Sequence, residues 1–160
     1  MTSENIIKAY TDGSCHTKHK VGAWAAIIFI DSKEIVLKNT DLDTTNQRME
    51  LSAVLNVLNY LKTNKLNDSK IVIYTDSQYV VGIEGRMDKF KTQDYKTKKG
   101  EAIRNEDLVR KLVFYIENLN IDFIKVKAHQ RTSDTKNYNR FVDKLCRKLV
   151  REYVSDHYNK

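Results

Sequence analysis

The sequence predicts a mixed α/β domain, one sheet with helices packed on its faces. Strand-length apolar runs joined by short turns open the chain, and strand and helix patterns alternate after them. The tripeptide Tyr-Thr-Asp closes two of those runs, at Tyr10-Thr11-Asp12 and Tyr74-Thr75-Asp76. Two such strands, parallel and adjacent, would deliver two carboxylates to one spot at their carboxyl ends, where open α/β sheets place their sites. Close carboxylates repel, and a cation settles them. Taken singly, each aspartate also reads as a turn residue or a helix cap.

The elements follow in order. Ile6-Ile7-Lys8-Ala9-Tyr10-Thr11-Asp12 is a strand by length and composition, and the uncharged run from Gly22 to Ile30 is a second. The turn Asp31-Ser32-Lys33 leads to a third at 34–39, making an antiparallel meander. A helix over 46–62 is marked by the stripe Ala53, Val54, Val57, Leu58 and Leu61. A strand at 70–76 and a helix at 77–84 come next, then a basic segment at 85–102 and a helix at 105–118. A strand at 121–128 precedes a last helix at 139–155, whose buried face is Phe141, Val142, Leu145, Cys146, Leu149, Val150 and Val154.

With 160 residues, no proline and no linker, one domain spanning 1–160 is expected. No apolar stretch reaches membrane-spanning length, and Met1-Thr2-Ser3-Glu4-Asn5 is not a signal peptide, so no membrane partner is expected. Cys15 and Cys146 lie far apart without metal-ligand spacing, which fits reduced thiols and a cytoplasmic location, with the nucleus left open. The net charge of +7 is uneven: residues 125–160 hold ten Lys/Arg against four Asp/Glu, leaving eighteen against seventeen elsewhere. Arg86 to Lys99 forms a second basic knot, six basic residues against two acidic, with Phe90 and Tyr95 interleaved. Such patches suit a nucleic-acid backbone; solvated lysines are the plain alternative.

Two further carboxylates complete the pattern. Glu50 stands four before Val54, seven before Val57 and eleven before Leu61, on the stripe that faces the sheet. A carboxylate there costs several kcal/mol unless paired or metal-bound; an ion pair with Arg48 or the helix dipole would also account for it. Asp143 flanks the buried face of the last helix, one turn in from its expected start. His129 closes the strand ending Val126-Lys127-Ala128, a place for a mobile proton carrier or for an ordinary surface histidine.

These residues resemble a type 1 ribonuclease H. The resemblance rests on Tyr10-Thr11-Asp12-Gly13-Ser14-Cys15, Thr45-Asn46-Gln47-Arg48-Met49-Glu50-Leu51, Thr75-Asp76-Ser77-Gln78-Tyr79-Val80, Val126-Lys127-Ala128-His129, and Asn139 four before Asp143. It implies a ribonuclease H-like fold with a five-stranded mixed sheet in order 3-2-1-4-5 and helices on both faces. It further implies that Asp12, Glu50, Asp76 and Asp143 bind two Mg²⁺ ions, Mn²⁺ being an alternative, and cut the RNA strand of an RNA–DNA hybrid to leave 5′-phosphate and 3′-hydroxyl ends. His129 would assist proton transfer or product departure. Gly13, Ser14, Cys15, Asn46 and Gln47 would touch the RNA strand, where the 2′-hydroxyl confines cleavage to RNA. Thr45 and Asn105 would hold a phosphate of the DNA strand. Gln78 and the protrusion residues Arg86, Lys89, Phe90, Lys91, Tyr95 and Lys96 would complete the hybrid contact.

This chain departs from the family pattern in four places. His16-Thr17-Lys18-His19-Lys20 replaces a glycine- and proline-rich turn, and Arg86, Phe90 and Tyr95 stand where tryptophans are usual. Ala128 replaces a glycine, and the loop from His129 to Asp143 is longer than in bacterial enzymes. A monomer without an N-terminal hybrid-binding module is expected. The alternatives are a ribonuclease H domain of a reverse transcriptase and a non-catalytic nucleic-acid-binding module of the same fold.

Overall fold

The computed structural model describes residues 5–127 and 137–158. Its elements run β1 (Ile6–His16), β2 (Val21–Ile30), β3 (Lys33–Asp41), α1 (Asn46–Thr63), β4 (Lys70–Thr75), α2 (Gln78–Thr92), α3 (Glu106–Asn118), β5 (Ile121–Lys125) and α4 (Tyr138–Tyr158). The five strands form one sheet in order β3-β2-β1-β4-β5. β1, β2 and β3 are antiparallel neighbours, whereas β1–β4 and β4–β5 are parallel. This is the mixed sheet and strand order expected. Among the described residues no helix is long and apolar enough to cross a membrane.

Strand periodicity divides the core between the two faces. Ile7, Ala9, Ala26, Ile28, Ile71 and Ile73 point to the face covered by α1, α2 and α3, where Leu51, Val54, Leu58 and Leu61 meet them. On the other face Ala25 and Ile27 pack on Val142 and Cys146 of α4, and Val21 and Ala23 pack on Val150 and Val154. Helix α4 therefore runs along the sheet from the middle of β1 towards the β1–β2 turn.

Three boundaries differ from the sequence reading for physical reasons. First, β1 does not stop at Asp12. Its parallel pairing with β4 ends at Tyr10, but antiparallel pairing with β2 continues to His16↔Val21. Asp12 is thus beyond the β4 pairing yet within a strand, which fixes its direction.

Second, α2 reaches Thr92 rather than 84, so Arg86, Lys89, Phe90 and Lys91 are helical. Gly85, the first residue past the helix expected at 77–84, is carried through because Ile83 and Phe90, seven apart, both turn into the core. Phe90 and Tyr95 are only 5% and 7% exposed and stack on each other with ring centroids 5.8 Å apart. Their expected place on a nucleic-acid-gripping surface is corrected: they anchor the protrusion to the core. Arg86 covers the Phe90 ring at 4.8 Å and Arg110 the Tyr95 ring at 4.0 Å, so guanidinium groups flank the pair.

Third, β5 ends at Lys125, with the Val126 N–H donating to the Thr75 carbonyl at 2.9 Å.

Candidate active site

The carboxylates expected from sequence are brought to the carboxyl end of the β1–β4 pair from four elements. Asp12 is 5% exposed on β1, and its Oδ1 accepts from the Gly13 N–H at 2.9 Å. Asp76 follows β4. It does not cap α2; Ser77 does, its Oγ accepting from the Val80 N–H at 3.1 Å. The capping alternative for Asp76 is thereby removed.

Glu50 is half-buried in the second turn of α1, and its Oε2 accepts from the Ser77 hydroxyl at 2.6 Å. The suggested Glu50–Arg48 pair does not form. Two residues apart on a helix they point to different sides, and Arg48 instead makes a forked bond to Asp107 at 2.9 and 3.0 Å. That fork holds the Asp107 carboxyl down at about 2. Asp143, in the second turn of α4, is half-buried and bonded to Arg147 Nε at 3.2 Å. Asn139 Nδ2 reaches the Lys127 carbonyl at 3.4 Å, tying the start of α4 to the end of β5.

Electrostatics show how tightly the acids are gathered. Burial raises the Asp12 carboxyl from its ordinary 3.8 to about 8, with the Asp76 charge next in weight; the Gly13 N–H opposes this, and Asp143 adds by charge and by a hydrogen bond. Glu50 is also raised, first by burial and then by Asp76, against the lowering bond from Ser77. Gathered this way, Asp12 takes up a proton more readily than a free aspartate and shares it with Asp143 through the hydrogen bond between them. Among the described residues no three His, Cys, Asp or Glu side chains already stand in a chelating arrangement. The donors are all carboxylate oxygens, the hard set that suits Mg²⁺ or Mn²⁺, and a dication would replace the shared proton.

A cation held by these acids would displace that proton. Mg²⁺ affinity is therefore expected to climb as pH rises towards about 8 and to level off above it, with proton release measurable by titration calorimetry. An affinity unchanged between about pH 6 and about pH 9 would contradict the shared proton.

Several residues around the acids escaped the sequence reading. Ser77 joins Glu50 to the start of α2, and a Ser directly after a strand-end Asp is the signal that could have shown it. Ser77→Ala should weaken metal binding about 10- to 100-fold by freeing Glu50, and should cost about 1 kcal/mol of stability through the lost cap. Calorimetric titration and thermal melts check the two effects separately. Cys146, fully buried, bonds through Sγ to the Asp12 carbonyl at 3.3 Å, and its thiol is pushed upward by burial and then by the Asp12 charge. No pattern in the sequence marks that contact.

Gly13 is needed where it is. A Cβ there would lie 2.5 Å from the Glu50 nitrogen and the Met49 carbonyl carbon. Ser14 and Cys15 continue β1 beside it, half-buried, the Cys15 Sγ reaching the Thr44 carbonyl at 3.3 Å.

The remaining expected contact residues fall into two groups. Thr45 caps α1, accepting from the Arg48 N–H at 3.2 Å, while Asn105 Oδ1 lies 3.5 Å from Arg48 Nη1 and its Nδ2 donates to the Tyr79 hydroxyl. Arg48 therefore spans Thr45 and Asn105, and Asn46, Gln47 and Gln78 begin the two helices beside them. The protrusion stands apart from this group. There Lys91 pairs with Glu117, Lys96 stands 4.0 Å from Asp94, and Lys89 is exposed. His129 lies outside the described residues.

A mixed sheet in this order, with acids converging over the end of its central parallel pair, defines a ribonuclease H-like α/β protein. The family model described as RNase H matches residues 4–151. Ribonuclease HI of Xylella fastidiosa is 38% identical over 143 residues, covering 89% of this chain and 90% of that protein. The chain belongs to the ribonuclease H family, in its type 1 branch.

Ribonuclease H of Caldicellulosiruptor saccharolyticus is 34% identical over 145 residues, covering 89% of this chain and 94% of that protein. Among solved structures, the fold is shared with LC9-RNase H1, a type 1 RNase H with the type 2 active-site motif. That likeness has a TM-score of 0.77 at 20% identity over 95% of this chain and 75% of the other. LC11-RNase H1, solved in complex with RNA/DNA hybrid, gives 0.68 at 18% identity over 93% and 99%.

Proposed function

We propose that this chain hydrolyses the RNA strand of RNA–DNA hybrids with divalent cations held by Asp12, Glu50, Asp76 and Asp143. The observation that carries the reading is the Asp12 carboxyl, buried at the end of the β1–β4 pairing and pushed upward by that burial and by Asp76 and Asp143 beside it. A pure nucleic-acid binder gains nothing from buried acids facing phosphates. Two Mg²⁺ or Mn²⁺ ions would supply activation of water and neutralisation of the leaving 3′-oxygen, giving 5′-phosphate and 3′-hydroxyl ends.

The protein's own part is positioning. The Gly13 N–H fixes the Asp12 carboxyl, Ser77 fixes Glu50, and Asn139 steadies the helix that carries Asp143. Gly13, Ser14 and Cys15 present strand backbone beside the acids, suited to a ribose 2′-hydroxyl, with Asn46 and Gln47 across from them. Thr45, Arg48 and Asn105 form a polar corner suited to a phosphate of the DNA strand. In the protrusion, Lys98, Lys99 and Arg104 are exposed on the loop after Tyr95 and add charge rather than ring surface, so affinity should fall steeply with salt.

The test is cleavage of a labelled RNA–DNA hybrid beside double-stranded RNA, double-stranded DNA and single-stranded RNA, each with Mg²⁺ or Mn²⁺. Metal-dependent cutting confined to the hybrid, with 5′-phosphate products, is expected. An intact hybrid with both metals would falsify the reading.

A further inference from the structure

The turn that replaces the family's glycine-rich segment builds a column of rings. The Lys20 N–H donates to the His16 carbonyl at 2.7 Å, and the His19 N–H donates to His16 Nδ1 at 3.2 Å, closing a tight turn with Lys20 at φ 53°. The His16 and His19 rings stack with centroids 4.9 Å apart, and His19 stacks on Tyr158 of α4 at 3.9 Å and 11°. Tyr158 is nevertheless 49% exposed. Lys18 and Lys20 flank the column in sequence and are exposed, Lys18 acting electrostatically on His19.

The column terminates two lines that start at the acids. Along β1, His16 is on the Asp12 face because strand side chains alternate, about 13 Å farther on. Along α4, Asp143, Arg147, Arg151 and Tyr158 fall on one side at helical spacing, a stripe of about 22 Å. Arg147 and Arg151 are exposed. Two of the ten basic residues in the C-terminal part of the sequence, Arg147 and Arg151, thus lie on the path between the acids and the rings.

We propose that this path takes an unpaired strand leaving the hybrid, with Arg147, Arg151, Lys18 and Lys20 on its phosphates and the His16–His19–Tyr158 column stacking on an unpaired base. Bases inside a duplex have no free face, so the column discriminates substrates with single-stranded extensions from blunt ones. The inference rests on the hybrid-cleaving reading of the acids.

Steady-state cleavage of three hybrids tests it: blunt, with the RNA strand extended at both ends, and with the DNA strand extended at both ends. The extended substrate that uses the path should show a KM roughly 5- to 100-fold below the blunt one, and the two extension arms identify which strand it is. Tyr158→Ala and His19→Ala should each erase most of that difference while kcat on the blunt hybrid stays unchanged, and Tyr158→Phe should keep it. Equal KM for all three hybrids, or a difference that survives both alanine variants, overturns the inference while leaving the activity standing. Fluorescence anisotropy with labelled single-stranded RNA and with labelled single-stranded DNA, without metal, gives a decision independent of cleavage. Wild type should bind at least one of the two more tightly than Tyr158→Ala does, and equal binding of both overturns the column's role even if the hybrid is never cut.

Discussion

If Asp12 holds cations as proposed, Asp12→Asn is expected to lower hybrid cleavage about a thousandfold or more, because several kcal/mol of transition-state charge stabilisation would depend on them. The same change should stabilise the metal-free protein at high pH. Asn keeps an acceptor for the Gly13 N–H and gains a donor towards Asp143, so the local geometry survives.

The sign follows from proton linkage. The folded Asp12 titrates at about 8 against 3.8 ordinarily, so the folded state holds a proton that the unfolded state has lost between those values. Its stabilising contribution is complete below the lower value and is lost as pH rises through the upper one. Wild type in EDTA should therefore melt at progressively lower temperature from about pH 5 to about pH 9, and Asp12→Asn should flatten that decline. Added Mg²⁺ should restore wild type and do little for the variant. Parallel melting curves for the two proteins at alkaline pH would remove the account of Asp12 as a buried, repelled acid.

Gly13→Ala should damage fold and activity together. Its Cβ would meet the Glu50 nitrogen and Met49 carbonyl carbon at 2.5 Å and the Met49 Cβ at 2.7 Å. Two of those contacts are helix backbone, so no side-chain rotation relieves them. Helix α1 has to back away from β1, although Met49 is only 1% exposed among packed neighbours. Overpacking of this kind costs about 1–3 kcal/mol or more, and each kcal/mol lowers the melting midpoint by about 2–4 °C at this size.

Since Glu50 moves with the helix, kcat should fall on the order of a hundredfold even at temperatures where the variant is folded. Gly85→Ala is the contrasting case. Nothing lies within 4 Å of its Cβ on α2, so the variant should gain about 0.5–1 kcal/mol and keep wild-type activity. Thermal melts and single-turnover cleavage separate these results; a Gly13→Ala protein with native stability and kcat would disprove the close approach.

The element order was legible from the sequence because strand and helix periodicities depend on near neighbours, whereas the strand order was what the family resemblance implied. Residues 6–12 and 70–76 read as strands and 46–62 as a helix, and the structure changes their ends by a few residues at most points. The larger failure was α2. Local composition from 85 onward is charged and contains a glycine, and only packing of Phe90 and Tyr95 against residues distant in sequence makes 85–92 helical and buries both rings. The same long-range dependence hid Arg48, which chose Asp107, fifty-nine residues away, over Glu50, two residues away.

The sequence by itself determined the class of fold and the family and singled out four acids as candidates, since these are written in apolar period and short contiguous motifs. Tertiary structure alone decided what surrounds the acids: Ser77 bonded to Glu50, the Cys146 thiol on the Asp12 carbonyl, the absent Cβ of Gly13 and the ring column ending at Tyr158. Each of these contacts joins elements whose separation along the chain carries no periodic signal. Sequence pattern reports which face a residue occupies; only packing reports what it meets there.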